Sequence, residues 1–436
     1  MKTETTSRPQ DTARRETPAR LALLRTSRAD FGTNDSTHHV DRNSSQVVEN
    51  KGFVPPRSVT LFKTRPGPSS RGRIATEGSL LPVTNRESLL YSSPRPMASW
   101  FEKRIRRYEQ KRFDQEPRRR TLPFAWGLEH IGGVPSDEQN PRKFLDRYVA
   151  DAVARSDDWY AAPPAGDYVL ADNVLTFTSA IASPWPENNR VHAQLFRARG
   201  KGPAVVVLAQ WNARWEEQQH VCRWLNQLGL TAVKMSLPYH DRRAIPGHPR
   251  ADHLVGPNIG LTMQAGRQAV VDVRRTLRWL EQHGYGPLGI LGTSIGSAIG
   301  FIAMCHEPAV RAGAFLHAST YFGDVVATGL TTKTVWEPMA AAGISHDDLR
   351  HFWSPISPFP YISRLPREEK KICLITARYD PTFLPEYTDA LFAKLRAEGV
   401  KFEETSLPCG HYSLGVAPFS WVAGFRFGRF LRRALA

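Results

Sequence analysis

The chain has 436 residues, 41% hydrophobic and 23% charged, with 33 prolines, 31 glycines and 4 cysteines, which is enough apolar content to bury the core of one large domain or two. Its formal charge of +16 invites a polyanion-binding reading, but residues 1–125 hold 25 basic and 13 acidic side chains while the remaining 311 hold 33 and 29. The body is nearly balanced, so no basic groove and no nucleic-acid partner is expected.

Cys222, Cys305, Cys373 and Cys409 are sparse and form no C-x-x-C pair. That argues against a disulfide framework or a structural zinc site and fits a reducing, cytoplasmic compartment. The apolar patch at residues 21–24 is too brief for a signal peptide, and the longest apolar stretch, around 295–305, falls well short of the roughly 18 residues of a membrane span.

Residues 1–96 are rich in Ser, Thr, Arg, Pro and Asn and lack periodicity, so they are expected to be disordered. They read either as a basic leader or as an extension ahead of a start at Met97; nine acidic residues weigh against a transit peptide. A helical N-terminal segment is expected over 97–166. Phe101, Ile105 and Tyr108 give its first helix a modest apolar stripe, the basic run at 118–120 reads as a solvated face, and a second helix covers about 142–155.

From residue 167 the pattern changes to strands alternating with helices. Residues 168–182 and 190–198 read as strands, and PAVVVLA at 203–209 as a strand buried on both faces. Further strands are expected at 231–237, 288–292, 312–317, 371–377 and 402–407. The intervening helices fall near 221–228, 260–283, 294–305 and 386–398, with a last one at 419–435. Repeated βα units imply an α/β fold with a mostly parallel sheet covered on both faces, and ligands at the carboxyl ends of its strands.

Gly292, Thr293, Ser294, Ile295 and Gly296 spell G-x-S-x-G between an apolar strand and an apolar helix. In that setting the turn forces a serine into a strained, exposed position, and the glycines are needed where backbones crowd. A serine hydroxyl needs a base, and an imidazole serves best when a carboxylate fixes its tautomer. In the chain order serine, acid, histidine, Asp380 follows one strand and His411 the next; Asp324, after the strand before them, is the rival acid. The oxyanion donors would be the Ile295 N–H and an N–H from the loop holding Gln210 and Trp211, where Trp211 could equally be a pocket wall.

Two other patterns carry less. Gly284, Gly286 and Gly289 spell G-x-G-x-x-G but precede a strand and include Pro287, the wrong context for a dinucleotide site. The group His240, Asp241, His248, Asp252 and His253 lacks helix-face metal spacing and reads as a loop near the site entrance.

Together these residues resemble the α/β-hydrolase superfamily over about 167–436. WLEQHGYGPLGILGTSIGS at 279–297 and LPYHDRR at 237–243 are similar to a little-characterised branch of α/β-hydrolase-domain proteins. The resemblance implies an eight-stranded core, a triad carried onto Ser294, Asp380 and His411, and no metal or organic cofactor. The chain lacks the H-G pair many relatives carry after the third strand.

A small helical cap is expected at about 326–369, where Trp336, Met339, Phe352, Trp353, Phe359 and Tyr361 would line an acyl pocket or simply pack the cap onto the body. The expected activity is serine-dependent cleavage of a small-molecule or lipid ester. The rival is a catalytically silent scaffold that binds a lipid or protein partner, with the leader as a surface tether.

Overall fold

The computed structural model describes residues 100–116, 120–248, 250–365 and 369–436. All fall in one of the two units into which the chain divides, residues 87–436. The other unit, residues 1–86, lies outside the described residues, as do the rest of the expected leader, the alternative start at Met97, and Arg118 and Arg119 of the basic run.

Three helices come first: α1 (Trp100–Asp114), α2 (Pro141–Ala154) and α3 (Ser156–Trp159). The sheet then begins with β1 (Val169–Ala171), β2 (Val174–Thr178), β3 (Arg190–Phe196) and β4 (Ala204–Leu208). It continues through α4 (Gln219–Gln227), β5 (Thr231–Met235), α5 (Ile259–Gln282), β6 (Leu288–Thr293), α6 (Ile295–His306) and β7 (Val310–Leu316). A helical insertion follows, α7 (Phe322–Thr328), α8 (Lys333–Ala341) and α9 (His346–Phe352), before β8 (Lys371–Ala377), α10 (Pro385–Ala397), β9 (Phe402–Leu407) and α11 (Phe419–Ala434).

The sheet order is β1-β2-β3-β5-β4-β6-β7-β8-β9. β4 to β9 run parallel to one another, and β1, β2 and β3 add an antiparallel edge. There are nine strands where eight were expected, because the first expected strand breaks at Asp172 and Asn173. Both take positive φ, 49° and 59°, the two-residue turn that matches the twist of a hairpin.

Alternation along the strands explains the two helical layers. Ala204, Val206 and Leu208 of β4 join the core under α5 and α6, whereas Val205 and Val207 join the opposite core with Leu225 of α4 and Phe427 of α11. A strand covered on both faces has no polar side, which is why β4 reads as an unbroken apolar run.

Helix α5 holds the N-terminal helices to the sheet through arginines. Arg267 donates to the Trp159 carbonyl at 2.6 Å, Arg278 to Ala162 at 2.6 Å and Arg275 to Pro163 at 2.7 Å, while Arg274 donates to Tyr160. Glu307 balances Arg274 and Arg278 at 3.1 Å each.

A second buried network fixes the LPYHDRR segment. Arg243 pairs with Asp272 of α5 at 3.0 Å, both side chains being fully buried, and donates to the carbonyls of Asn188 (2.9 Å) and Ser236 (3.2 Å). Ser179 completes the Asp272 carboxylate at 2.7 Å. Burial pushes the Asp272 carboxyl up, opposed by Arg243 and the Ser179 hydroxyl.

Among the described residues no helix is long and apolar enough to cross a membrane, and all four cysteines are buried with no disulfide between them. Removing one partner of a buried ion pair strands the other charge at a cost of about 3–5 kcal/mol. Asp272→Ala is therefore expected to lower the unfolding free energy by about that amount in denaturant titrations, with Arg243→Ala equally damaging and the double variant less than additive.

Candidate active site

The turn from β6 into α6 presents Ser294 with φ 56° and ψ −122°, a backbone conformation that a non-glycine residue holds only when its surroundings impose it. Ser294 therefore caps the helix, which starts at Ile295. Two strands supply the constraint. From β7, the Leu316 carbonyl accepts the Ser294 N–H at 2.9 Å and the Ser297 hydroxyl at 2.5 Å. From β4, the backbone crowds Gly296: a Cβ there would lie 2.4 Å from the Leu208 oxygen and 2.7 Å from that of Ala209. A Cβ on Gly292 would likewise meet the Gly296 oxygen at 2.4 Å.

The Ser294 hydroxyl lies 3.3 Å from Nε2 of His411, carried by the loop after β9. On the other side of the ring, Nδ1 lies 3.1 Å from Oδ2 of Asp380, in the loop after β8. Asp380 Oδ1 accepts the backbone N–H groups of Thr382 (2.8 Å) and Phe383 (2.9 Å), and the Phe383 ring stacks on His411 with centroids 5.5 Å apart. The strands end on one edge of the sheet because they run parallel, and that edge brings the three loops together.

Burial works against ionising Asp380, but His411 and His317 on either side of it hold its carboxyl well below the usual carboxylate range. Burial would lower the His411 imidazole; the Asp380 carboxylate, with Glu109 and Glu116 behind it, raises it above its ordinary 6.5.

His317 is an addition that no sequence motif announced. It directly follows β7 with φ 60°, its ring lies 4.3 Å from that of His411, and its Nδ1 is 2.7 Å from Asp380 Oδ2, though off the line of a good hydrogen bond. Burial and the neighbouring His411 push its pKa down. Among the described residues, His317, Asp380 and His411 form the one group whose donor atoms approach closely enough to hold a metal ion, within 4.8 Å of one another. Both Nδ1 atoms are turned onto the same carboxylate oxygen, and that of His411 hydrogen-bonds to it.

Asp324, the rival acid, is engaged elsewhere. It accepts from His346 at 2.8 Å and Arg350 at 2.7 Å, tying α7 to α9. Of the aromatic set in the insertion, Met339, Phe352, Trp353 and Tyr361 are buried, and Trp336 and Phe359 pack against the same core. The Trp353 indole donates to the Ile259 carbonyl at 3.1 Å, so these side chains fasten the insertion to the body.

At the first position of α6 the Ile295 N–H has no partner within the helix. The loop beyond β4 runs past the elbow through Gln210 and Trp211. The Gln210 side chain is spent on Glu217 and Gln218, each at 2.8 Å. The Trp211 indole donates to the Ala251 carbonyl at 3.1 Å, with Arg250 over its ring at 4.9 Å. Trp211 thus walls a shallow cleft shared with Arg120, Asp252 and Val335. His240 anchors this loop: its Nε2 accepts the Asn212 N–H at 2.8 Å while Nδ1 faces the Pro238 carbonyl, also at 2.8 Å. Burial lowers its pKa to about 4, so the ring stays neutral and can accept.

The rest of that polar group disperses. His253 packs among Trp185, Tyr239 and His248, and Asp252 pairs with Arg250 at 3.2 Å. Gly284 and Gly286 take positive φ in the turn into β6.

A mostly parallel sheet with a strained serine elbow after β6, followed along the chain by an aspartate loop and a histidine loop, decides the architecture. The fold is that of the α/β-hydrolases. Solved structures with a similar fold include acetyl xylan esterase 1 from Thermoanaerobacterium sp., with TM-score 0.49 and 13% identity over 66% of this chain and 93% of that one. An esterase of Pyrococcus furiosus gives TM-score 0.43 and 17% identity over 62% of this chain and 94% of its own. The acylaminoacyl peptidase of Pyrococcus horikoshii gives TM-score 0.48 and 12% identity over 63% of this chain; the chain spans only 42% of that peptidase. No family model and no curated protein sequence matches the chain.

Adding a side chain where the elbow meets β4 forces backbone apart, and overpacking of this kind costs about 1–3 kcal/mol or more. Gly296→Val is expected to lower the melting temperature and to displace Ser294 from His411, seen as loss of the 3.3 Å contact in a crystal structure of the variant.

Proposed function

We propose that the protein is a serine hydrolase that cleaves a carboxylic ester through an acyl-enzyme on Ser294. The observation that carries this reading is the unbroken line from the Ser294 hydroxyl to His411 Nε2 at 3.3 Å and from His411 Nδ1 to Asp380 at 3.1 Å, on an elbow whose backbone is held in strain.

In the first half-reaction His411 Nε2 takes the serine proton as Oγ attacks the acyl carbon. The tetrahedral oxyanion rests on the Ile295 N–H and an N–H of the loop at Gln210 and Trp211. His411 then gives its proton to the leaving alcohol. In the second half, His411 takes a proton from water, hydroxide adds to the acyl carbon, and the acid leaves as the proton returns to Ser294. Asp380 keeps its charge throughout and holds the imidazole in the tautomer with Nδ1–H. A small apolar cavity lined by Ile295, Ala298 and Ile299 of α6 and by Phe322 would receive the acyl group. Residues 167–436 form the catalytic domain in this reading, residues 97–166 a helical segment ahead of it, and residues 326–369 a cap.

Ser294→Ala is expected to abolish both p-nitrophenyl acetate hydrolysis and labelling by a fluorophosphonate. Asp380→Asn, which spoils the imidazole tautomer, should cut kcat by about 10⁴-fold. A wild-type protein that neither labels nor hydrolyses would overturn the reading in favour of a silent scaffold.

The base must be neutral to act. Because the His411 pKa is raised above 6.5, kcat/KM should fall on the acid side with a midpoint above 6.5, measured across pH 5–9.

A further inference from the structure

Helix α1 reads in sequence as a charged surface helix, with Lys103, Arg104, Arg106, Arg107, Lys111 and Arg112 on it. One of its acids departs from that pattern. Glu109 is fully buried, and its partners come from the far end of the chain. Its Oε2 accepts the Tyr412 N–H at 2.7 Å, and its Oε1 accepts the Ser413 N–H at 3.0 Å and the Ser413 hydroxyl at 2.7 Å. All three partners are donors, the set that suits an ionised carboxylate.

The same Ser413 oxygen accepts the Gly410 N–H at 2.8 Å, so both flanks of His411 are tied to one carboxylate. Gly410 leaves room for it: a Cβ there would lie 2.5 Å from Glu109 Cδ. Seven residues further on, just beyond the end of α1, Glu116 accepts the Tyr412 hydroxyl at 2.6 Å. Phe101 of α1 meets Tyr379, the neighbour of Asp380, edge-on at 6.2 Å. The helix thus touches both the acid loop and the base loop.

We infer that Glu109 is a positioning residue for His411, gripping the histidine loop from outside the sheet and setting a second carboxylate behind the imidazole. The inference rests on the hydrolase reading for its catalytic meaning. Its physical content is separate: a fixed ring orientation, and a negative charge that favours the imidazolium formed during proton transfer.

The charged and titratable groups facing His411 are Asp380 after β8, His317 after β7, and Glu109 and Glu116 on and just beyond α1. Asp380 makes direct contact, while Glu109 and Glu116 act through space on the same side of the balance. Glu109→Gln keeps the size and one acceptor oxygen but removes the charge. An opposite charge on this side of the ring favours the protonated imidazole, so losing it should lower the His411 midpoint.

The test uses the full chain. The pH dependence of kcat/KM on p-nitrophenyl acetate is compared for wild type, Glu109→Gln and Glu109→Asp. In parallel, histidine ring NMR titration follows the His411 signal, assigned by its loss in His411→Gln. In Glu109→Gln both midpoints should move down, kcat should fall at unchanged KM, and Glu109→Asp should restore the midpoint. Ser413→Ala, which removes the shared hydroxyl, should lower kcat at unchanged KM even if Glu109→Gln does not fold.

Unmoved midpoints in a folded Glu109→Gln, or wild-type kcat in Ser413→Ala, would overturn the inference. The NMR arm needs no substrate. A wild type without esterase activity whose His411 midpoint still shifts in Glu109→Gln would remove the hydrolase reading and leave the positioning role standing.

Discussion

At Gly296 a Cβ would sit 2.4 Å from the Leu208 oxygen, and that closeness of α6 to the end of β4 is the constraint on which the rest of the site depends. It lets the chain leave β6 and enter a helix in a single residue, and that residue is Ser294. The Leu316 carbonyl grips the same turn from β7. Held between two strands, the serine cannot relax to a common backbone conformation, so its hydroxyl stays at the sheet edge. The neighbouring β4 loop lies beside it for the same reason, since the contact that excludes a side chain at Gly296 also brings Ala209 and the residues after it against the elbow.

A buried carboxylate is the second requirement, and it is met by donors from several elements. Asp380 receives two backbone N–H groups from its own loop and lies against two imidazoles. Without them, burial would favour the neutral acid, which cannot stabilise an imidazolium. Glu109 repeats the same solution one layer further out, accepting from the backbone and hydroxyl of the loop that holds His411. The two carboxylates act on His411 from different parts of the chain, so the ring's orientation does not rest on the Asp380 loop alone.

What could be read from the sequence is what depends on neighbours along the chain. The elbow was legible because its glycines and serine lie within five positions between a strand and a helix, the Asp380 loop because it follows the apolar run KICLITA, and the His411 loop because it follows the last expected strand. The choice between Asp324 and Asp380 was not legible: both follow strands, and it is His346 and Arg350, from a different helix, that occupy Asp324. Glu109 was hidden for the same reason, since its partners lie 303 and 304 positions away and it sits in a helix rich in exposed lysine and arginine. His317 gave no signal because a histidine closing an apolar strand looks like any other strand end. The Asp172–Asn173 turn was present in the sequence but lay within a longer apolar pattern that masked the break.

The distribution of charge takes on a different meaning once the partners are known. Arg243, Arg274 and Arg275 are buried, and Lys234 is too, its ammonium donating to the carbonyls of Arg214 (3.2 Å) and Trp215 (2.9 Å). Arg267, Arg275 and Arg278 likewise spend donors on backbone oxygens. Arg243 also pairs with Asp272, and Arg274 and Arg278 with Glu307, but a carbonyl satisfies a cation's hydrogen bonds without cancelling its charge, so where donors go to backbone oxygens, as in Arg267 and Arg275, the formal total rises. Part of the small positive excess of the body is therefore the arithmetic of interior fastening. An arginine fork suits this work better than lysine, because its donors are fixed in a plane and can bridge a helix to an irregular chain in one side chain. The helices ahead of the sheet, including the one that carries Glu109, belong to this folded unit, and arginines of α5 fasten the end of that segment, residues 159–163, to the body.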